Sequence, residues 1–468
     1  MGLGDVYEEG RAWVADHLRF DSAKGVVSFF EATIRLLGGL LSVYYLTGDR
    51  LFLERGVDLG DRLLGAYKGS PTGLPLATLN LSSLEAWNPS WGRNLTSLSE
   101  ATTVQLEMAA LSRLTGDATY AATAERTMDV IFGTPSLMGQ RPFFLDTYTL
   151  EPSGGYGYGA RGDSYYEYLL KRCIQAQALG EPEEVVAKYR DNWLLSVRGL
   201  SALLVEESQP SGLKFLAELA RVNNSQIPKM DHLACFTPGM LALGARKVGG
   251  EKAGEYLELA GDLVRTCVQF YSRQCTGLSP ELVHFLEAPA DGSFEDFTTD
   301  SWHHLLRPET VESLYILHEI TGDSRYQQWG WDLFCAWEQH SKIPSGGYSG
   351  LRDVRKPGSY NNVQESYFLA ETLKYLYLLF DESGTVSLDR WLFNTEAHLL
   401  SIDPDWCEEW ARENFEGFMA GIPVRFESPL SFCRLYIGPA EHILKPSNTF
   451  EASFLLPSGR IDIVVPLA

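Results

Sequence analysis

The sequence is poor in basic residues. Its 468 residues include 39 lysines and arginines but 61 aspartates and glutamates, which gives a formal net charge of -22 at pH 7. This charge repels nucleic acids and anionic membrane surfaces, so we expect neither as a partner. A neutral polyhydroxylated ligand remains compatible with it. The 11 tryptophans and 22 tyrosines could cover the apolar faces of sugar rings, although most aromatic side chains pack in protein cores.

Several common motifs are missing. The sequence has no uninterrupted apolar run of about 18 residues, so no membrane span is expected. Its start, Met1–Glu9, lacks the basic residues and apolar stretch of a signal peptide, which taken alone favours a cytosolic protein. It contains no zinc-ligand spacing, no G-x-S-x-G, no P-loop and no dinucleotide-binding motif. The seven cysteines are an odd number, so at least one thiol stays free within a monomer.

Strand-like alternation is scarce before residue 402. Apolar residues recur instead at helical spacing, as in Ile34, Leu37 and Leu41, and we predict one large helical domain. A Thr-Gly-Asp sequence is predicted to close one helix and open the next, because glycine permits a left-handed turn and aspartate caps a helix. It recurs at Thr47, Thr115 and Thr321. The spacing of these three sequences along the chain fits helical hairpins arranged around a ring. It does not distinguish an open solenoid from a closed toroid.

The character of the sequence changes after residue 402. The acidic stretch Asp403–Glu416 is predicted to be helical, and Pro423–Phe426 and Ile461–Val465 are predicted to be short strands. We therefore predict a helical domain at residues 1–402 and a C-terminal appendage at residues 403–468. The function of the appendage is not visible in its sequence.

Four segments place a carboxylate, hydroxyl or guanidinium beside a helix end or an apolar helix face, where acid, base and ion-binding chemistry can be tuned. They are F-F-E-A-T-I-R at 29–35, G-A-R-G-D-S at 159–164, L-R-P-E-T-V-E-S at 306–313 and F-N-T-E-A-H at 393–398. In this order they resemble the class I α-1,2-mannosidases, glycoside hydrolase family 47, over residues 1–402. The resemblance implies an all-α fold, the (α/α)7 barrel, with the active site in its central cavity. Family members begin with an earlier helix that this sequence lacks, so its apolar neighbours are expected to be uncovered.

Hydrolysis of a glycoside needs one protonated carboxyl group and one ionised carboxylate. Apolar residues flank Glu31 and could raise its pKa, although Arg35 one turn later would oppose that change. Glu309 follows Pro308 and is expected in a first helical turn, where the helix dipole favours the ionised form. On spacing alone, Glu309 could be an ordinary helix-start glutamate and Asp163 a helix N-cap.

The resemblance assigns roles to these three carboxylates. It implies that Glu31 is the general acid, that Glu309 is the general base and that Asp163 is a further catalytic candidate. It also implies inversion of configuration, for which the acid and base stand about 6.5–9.5 Å apart so that a water fits between base and sugar. Residues implied to bind the substrate are Arg35, Arg161, His232, Arg307, Tyr367 and Glu371, and of these Arg307 and Tyr367 are implied to border the terminal mannose.

The resemblance further implies a bound Ca²⁺, held by the backbone carbonyl and hydroxyl of Thr395. Without it, Asn394-Thr395-Glu396 would be interpreted as a helix cap. Carboxylates that could hold the waters around the ion are Glu312, Glu365, Glu371 and Glu396. Cys235 and Cys267 align with the family's disulfide.

These features together predict an inverting exo-α-1,2-mannosidase that trims high-mannose N-glycans of glycoproteins, of the Man9 to Man8 type. Arg161 favours the endoplasmic-reticulum type, since the broader Golgi enzymes tend to have leucine there. The resemblance and the sequons at Asn80, Asn94 and Asn223 predict a location in the lumen of the endoplasmic reticulum or Golgi. Two alternatives stay open: a glycan-binding quality-control protein of the same fold, and a helical-repeat scaffold for partner proteins. The sequence leaves the oligomeric state open.

Overall fold

The computed structural model describes residues 3–89, 92–286, 295–419, 449–456 and 459–466. The chain divides into two compact units, Met1–Ile422 and Pro423–Ala468. The first unit is mainly helical, and the described part of the second is a pair of strands.

The second unit contains strands β16 (Thr449–Leu456) and β17 (Gly459–Pro466), which pair in antiparallel orientation. The strand predicted at residues 461–465 lies within β17. The strand predicted at residues 423–426 lies outside the described residues.

The helices of the first unit pack largely as consecutive pairs. They are α1 (Gly4–His17), α2 (Phe29–Thr47), α3 (Arg50–Leu63), α4 (Leu98–Thr102), α5 (Gln105–Thr115), α6 (Thr119–Gly133), α7 (Asp163–Ala178), α8 (Glu183–Leu203), α9 (Thr237–Lys247), α10 (Ala253–Ser272), α11 (Glu309–Thr321), α12 (Arg325–His340), α13 (Leu373–Leu379) and α14 (Glu408–Met419). Short 3-10 helices are Leu64–Tyr67, His232–Phe236 and Gly250–Lys252, and π-helical turns are Ala32–Leu37 within α2 and Phe368–Thr372 before α13.

An inner ring is formed by the first helix of each pair. The pairs are α2 with α3, α5 with α6, α7 with α8, α9 with α10, and α11 with α12. The first members also contact one another in succession, and α11 contacts α13. Nearly all of α7 is buried, whereas the outer helix α12 buries a single face, as expected for inner and outer positions. The predicted all-α barrel of helical hairpins is confirmed.

The turns between paired helices follow the recurring Thr-Gly-Asp sequence. Helix α2 ends at Thr47, Gly48 adopts a left-handed φ of 65°, and the carboxylate of Asp49 accepts a hydrogen bond from the amide of Leu51. Gly116 and Gly322 repeat this geometry with φ of 77° and 69°. Because the turn chemistry is local, the sequence predicted these hairpin connections correctly.

The strands of the first unit are short and antiparallel. They are β1 (Val27–Ser28), β2 (Thr78–Leu79), β3 (Ala86–Trp87), β4 (Leu95–Ser97), β5 (Phe144–Asp146), β6 (Pro152–Ser153), β7 (Val205–Glu207), β8 (Lys214–Leu216), β9 (Glu218–Leu219), β10 (Gln226–Ile227), β11 (Lys229–Asp231), β12 (Leu282–Phe285), β13 (Phe297–Thr298), β14 (Trp391–Phe393) and β15 (Leu399–Ser401). They pair in the orders β1-β2-β3, β4-β5-β6, β7-β8, β9-β10, β11-β12-β13 and β14-β15. β1 and β4 run directly into helices, and β15 packs against α2, which brings the last element of the ring beside the first.

Residues 403–419 pack with the helical unit, which differs from the predicted boundary at residue 402. The Trp406 ring packs edge-on against Tyr44 and Tyr45, and its indole N–H donates to the Tyr45 carbonyl at 2.9 Å. Helix α14 packs against α2. Leu36, Leu369 and Tyr377 are among the large apolar side chains that are exposed.

Helix α2 is long and apolar enough to cross a membrane by length and composition alone, unlike any other helix in the described ranges. In the protein, 61% of its most apolar stretch is buried against neighbouring elements. It also carries Glu31 and Arg35 in the ring of inner helices. The feature is accounted for by the packing of an inner barrel helix.

Candidate active site

The beginnings of the inner helices surround a cavity of about 410 Å³. Its acidic lining residues are Glu31, Glu100, Asp163, Glu167, Glu309, Glu312, Glu371 and Glu396, and its basic ones are Arg35, Arg161 and Arg307. Thr395 and Tyr367 also line it. Residues that are hundreds of positions apart therefore meet in one concave site. Two predicted site residues, His232 and Glu365, are not among those that line the cavity.

Glu309 is the first residue of α11, with Pro308 at the N-cap position rather than inside the helix. One carboxylate oxygen lies 2.9 Å from Nδ1 of His232, and the other lies 3.9 Å from a guanidinium nitrogen of Arg307. Burial acts to raise the pKa of Glu309, but His232, Arg307 and the backbone amides of the first turn together hold this pKa below its usual value. An ionised carboxylate on a cavity wall has the property that a general base requires.

His232 lies behind Glu309 rather than on the cavity surface, so the expectation that it faces the cavity is corrected. Its Nε2 is 2.7 Å from the hydroxyl of Tyr271 and 3.0 Å from that of Thr310. The 3-10 segment that begins at His232 is joined to α10 by the Cys235–Cys267 disulfide. The bonds of His232 to Tyr271 and Glu309 place the imidazole between α10 and Glu309, where it can orient the carboxylate.

Asp163 is the first residue of α7. Gly162 occupies the N-cap position, which the sequence alone suggested for Asp163. Its Oδ1 accepts a hydrogen bond of 2.6 Å from the hydroxyl of Ser99 and one of 2.8 Å from the amide of Ser164. Desolvation by the surrounding walls outweighs these bonds and raises the pKa of Asp163 to about 6. A carboxyl group with this pKa is partly protonated under mildly acidic conditions and can donate a proton.

Glu31 has more polar surroundings than its flanking residues predicted. Its side chain is 46% exposed, and its Oε2 accepts a hydrogen bond of 2.5 Å from Nε of Arg35. The neighbouring Phe29 points into the core and is fully buried, so its ring does not enclose the carboxylate. Arg35 also pairs with Glu396 through its Nη1. Of the apolar neighbours of Glu31, Phe30 and Ile34 line the cavity with it, whereas Phe29 and Leu37 are fully buried.

Crowded carboxylates form another wall of the cavity. Burial, then the neighbours Glu396, Glu309 and Glu312, raise the pKa of Glu371 well above its usual value. Burial raises the pKa of Glu396 to about 7, against the effect of Arg35. Burial also raises the pKa of Glu312 to about 8, although Lys171 opposes it. These carboxylates repel one another even with Arg35, Lys171 and Lys374 beside them, and a bound cation would lower this repulsion further.

This wall fits a hard divalent cation held mainly through water. Among the described residues, no group of three or more histidine, cysteine or acidic side chains is arranged to hold a metal ion directly. The oxygens of Thr395, with Glu312, Glu371 and Glu396 around them, provide the oxygen-rich surroundings that such ions prefer. Glu365, predicted to belong to this set, lies before the π-helical turn that carries Glu371 and is not brought to the cavity.

Of the residues predicted to bind sugar, Arg35, Arg161, Arg307, Tyr367 and Glu371 line the cavity, whereas His232 does not. Guanidinium groups of Arg35 and Arg307 each lie 5.8 Å from the centre of the Tyr367 ring. The Tyr367 hydroxyl donates to the Leu305 carbonyl at 2.8 Å, which fixes the ring. Arg161 is exposed at the cavity with a left-handed φ of 79°, and its Nη1 lies 3.3 Å from Glu100.

The sequence analysis missed Glu100, Glu167 and Ser99, all of which line the cavity. Glu100 had a recognisable signal, because Ser97 and Glu100 form a capping box at the start of α4. Glu167 lies on α7, one turn after Asp163, and pairs with the buried Lys171. Its spacing on an apolar helix carried no comparable signal.

Comparison with known proteins agrees with this geometry. The family model described as glycosyl hydrolase family 47 matches residues 1–402. The chain belongs to glycosyl hydrolase family 47. The resemblance predicted from the four segments is therefore confirmed, and so is the (α/α)7 barrel as the fold of this family.

Curated relatives of this family 47 chain carry mannosidase names. It is 44% identical over 404 residues to mannosyl-oligosaccharide 1,2-alpha-mannosidase MNS1 of Arabidopsis thaliana, covering 86% of this chain and 69% of that protein. It is 42% identical over 409 residues to the human endoplasmic reticulum mannosyl-oligosaccharide 1,2-alpha-mannosidase, covering 86% of this chain and 56% of that protein. The chain thus spans little more than half of the human relative's length. The solved structure of the alpha-1,2-mannosidase from Trichoderma reesei superposes with a TM-score of 0.77 at 26% identity, covering 86% of this chain and 87% of that one.

Proposed function

We propose that this family 47 chain is an inverting exo-α-1,2-mannosidase that removes terminal mannose from high-mannose N-glycans. The observation that carries the proposal is the meeting of Glu31, Asp163, Glu309 and Thr395 in one cavity. A concave pocket lined by carboxylates and guanidinium groups suits a neutral ligand rich in hydroxyl groups. The names of relatives at 42% and 44% identity support this substrate class.

Glu309 is the proposed general base. Its lowered pKa keeps it ionised, and its contact with His232 holds the carboxylate in place. Glu309 takes a proton from a water whose oxygen attacks the anomeric carbon of the terminal mannose. The bond from that carbon to the glycosidic oxygen breaks, and this oxygen receives a proton from the acid. Attack opposite the leaving group inverts the configuration and releases mannose.

Two carboxyl groups are candidates for the proton donor. The family resemblance favours Glu31, whereas the raised pKa of Asp163 supports proton donation from Asp163. α-Mannosyl fluoride distinguishes them, because fluoride leaves without a proton from the enzyme. We compare Glu31→Gln with Asp163→Asn by the ratio of fluoride hydrolysis to glycan hydrolysis. The variant that lacks the proton donor is expected to have much the higher ratio.

Calcium is the proposed cofactor. Thr395 would hold the ion through its backbone carbonyl and hydroxyl, while Glu312, Glu371 and Glu396 would hold its water ligands. When bound, the ion supplies positive charge and coordination positions for substrate hydroxyl oxygens. The meeting of these three glutamates with Thr395 in one cavity supports a cation at this wall.

Release of mannose from a Man9 glycan tests the proposal. We expect release in the presence of Ca²⁺, its loss in a chelator and its recovery when Ca²⁺ is added back. Glu309→Gln is expected to lower kcat by about 10²–10⁴-fold, the usual contribution of a general base. Glu184→Gln, on the exposed surface of α8, is the matched control and should leave the rate unchanged. A wild-type chain that binds the glycan with Ca²⁺ present but releases no mannose would contradict the proposal.

The two alternatives have less support. A glycan-binding quality-control protein would bind the Man9 glycan without cutting it, whereas the retained base and its His232 partner support hydrolysis. A helical-repeat scaffold predicts an apolar or single-sign concave groove. The cavity instead mixes eight acidic with three basic side chains around a threonine.

We further propose that the enzyme works in the lumen of the secretory pathway. The Cys235–Cys267 disulfide supports an oxidising compartment. Arg161 and the similarity to the human endoplasmic reticulum enzyme favour the endoplasmic reticulum over the Golgi. Arg161→Leu is expected to broaden the set of Man8 isomers released from Man9, which chromatography of the products would measure. An unchanged isomer pattern would contradict the role of Arg161 in branch choice.

A further inference from the structure

The turn that carries Thr395 is organised by its neighbour Asn394. This turn connects β14 to β15, and Ala397 within it adopts a left-handed φ of 55°. The side-chain oxygen of Asn394 accepts hydrogen bonds from the amides of Glu396 at 2.9 Å and His398 at 2.8 Å. Asn394 is fully buried. Its acceptor atom therefore sets the path of the backbone on both sides of the turn.

The donor end of the same amide group reaches two distant elements. Nδ2 of Asn394 donates to the Ile34 carbonyl at 2.9 Å and to Oε1 of Glu107 at 2.8 Å. With two bonds donated and two accepted, the hydrogen-bonding capacity of the side chain is used in full. Ile34 lies between Glu31 and Arg35 on α2. One side chain therefore joins the turn of Thr395 to the helical turn that presents the candidate acid.

The local shape of α2 accommodates this contact. Ile34 belongs to the π-helical turn Ala32–Leu37, and the amide of Gly38 donates to the carbonyls of Thr33 and Arg35 rather than to that of Ile34. A Cβ atom on Gly38 would lie 2.4 Å from Nδ2 of Asn394. The absence of a side chain at this position is what lets the amide approach the helix.

A second path leads back to Thr395 itself. The Tyr168 hydroxyl donates to the same Oε1 of Glu107 at 2.7 Å and lies 3.4 Å from the backbone amide of Thr395. On the other side of the turn, Lys374 donates to the Ala397 carbonyl at 2.7 Å. The turn is therefore held from α5, α7 and α13 as well as from α2.

We propose that Asn394 is a positioning residue, which aims the oxygens of Thr395 into the cavity and keeps them in register with Glu31 and Arg35. This inference rests on the proposed function, in which Thr395 binds the ion. Asn394 itself is not among the residues that line the cavity. Removing its donor group should weaken Ca²⁺ binding even though every direct ligand is retained.

Asn394→Asp tests the inference, because it keeps the size of the side chain and replaces the donor with an oxygen facing the Ile34 carbonyl and Glu107. We expect the Ca²⁺ dissociation constant, measured by calorimetry on purified protein without substrate, to rise by about 10–100-fold, as for other partners that orient metal ligands. KM for the Man9 glycan should rise as well. The matched control is Asn192→Asp on the outer helix α8, where the amide bonds only to the Lys188 carbonyl. The control should bind Ca²⁺ as the wild type does.

Tyr168→Phe provides a second variant if Asn394→Asp does not fold. It removes the hydroxyl that bonds to Glu107 and to the Thr395 amide without changing a charge, and should weaken Ca²⁺ binding by about 2–10-fold. Unchanged Ca²⁺ affinity in a folded Asn394→Asp chain, or in Tyr168→Phe where that is the folded variant, would overturn the inference. A wild-type chain that binds no Ca²⁺ would overturn it too. Failure of the proposed function has a different signature, in which the wild type binds Ca²⁺ and glycan but releases no mannose.

Discussion

Loss of the Cys235–Cys267 disulfide is expected to lower the free energy of unfolding strongly while leaving catalysis nearly unchanged. The two cysteines are 32 positions apart, and both are fully buried. In the chain-entropy model, closing such a loop lowers the entropy of the unfolded chain by about 12 cal/mol/K, which is about 3.7 kcal/mol at 25 °C. Typical domains have only about 5–15 kcal/mol of net stability, so the expected loss is a large share of it.

Catalysis should survive because other bonds hold the same segment. The amide of His232 donates to the Glu281 carbonyl at 2.8 Å, and the Ser313 hydroxyl donates to the Cys235 carbonyl at 2.5 Å. These contacts connect the segment to the residue before β12 and to α11 without the disulfide. We therefore expect kcat of the Cys235→Ala, Cys267→Ala double variant to stay within about twofold of the wild type when it is assayed well below its melting temperature.

Urea unfolding at fixed Ca²⁺ measures this effect, with Cys173→Ala as the matched control. Cys173 is a fully buried free cysteine, so its loss removes the same atoms without opening a loop. The control measures the fall in the free energy of unfolding for one cysteine side chain, and twice this fall is expected for two. The double variant should exceed that doubled value by about 3–4 kcal/mol. An equal loss would refute the entropic account. A tenfold fall in kcat would instead indicate that the disulfide itself orients His232 against Glu309.

Two further predictions concern packing and charge. Gly244→Ala on α9 would place a Cβ 2.1 Å from the ring of the buried Trp193. The cost of this overpacking, about 1–3 kcal/mol or more, should exceed the gain in helix propensity of about 1 kcal/mol. Urea unfolding should therefore show a lower free energy of unfolding, and a higher one would contradict the prediction. The folded pKa of Asp163, about 6, exceeds its ordinary value of 3.8, so its carboxyl group binds protons more tightly when folded and lowers stability as pH rises from about 4 to about 6. Asp163→Asn should remove this loss of stability, which is at most about 3 kcal/mol above pH 6, and the variant should also lose activity. Thermal unfolding of both proteins in chelator from pH 4 to pH 8 tests this. A stability difference between them that does not change with pH would contradict the prediction.

Features determined by short sequence segments were predictable. The hairpin turns depended on a glycine and an aspartate that act on the residues next to them, as at Gly48 and Asp49. The position of Glu309 at a helix start depended on the adjacent proline. The capping box formed by Ser97 and Glu100 is an equally local signal for the start of α4. In each case the deciding interaction spans a few residues, so the sequence contains it in readable form.

Features determined by tertiary contacts were not predictable from spacing. The expected helix cap at Asn394 is a strand-to-strand turn, because its side chain bonds to residues 287 and 360 positions away. The apolar setting expected around Glu31 is only partial, since its side chain stays 46% exposed and bonds to Arg35. The position of His232 behind Glu309 depends on Tyr271 and Thr310, which are 39 and 78 positions away. Only the family resemblance brought these residues together before the structure did.

The arrangement of inner helices explains why acid chemistry and ion binding share one cavity. Glu309 and Asp163 each begin an inner helix, where unpaired backbone amides and the helix dipole attract negative charge. Further carboxylates crowd the same space, and the three guanidinium groups that line it are too few to balance them. The result is a spread of proton affinities, with a lowered pKa at Glu309 and raised values at Asp163 and Glu371. A glycoside hydrolase needs an ionised base and a protonated acid at one pH, and this spread of proton affinities provides both, while the excess of carboxylates suits the cation that we propose at Thr395.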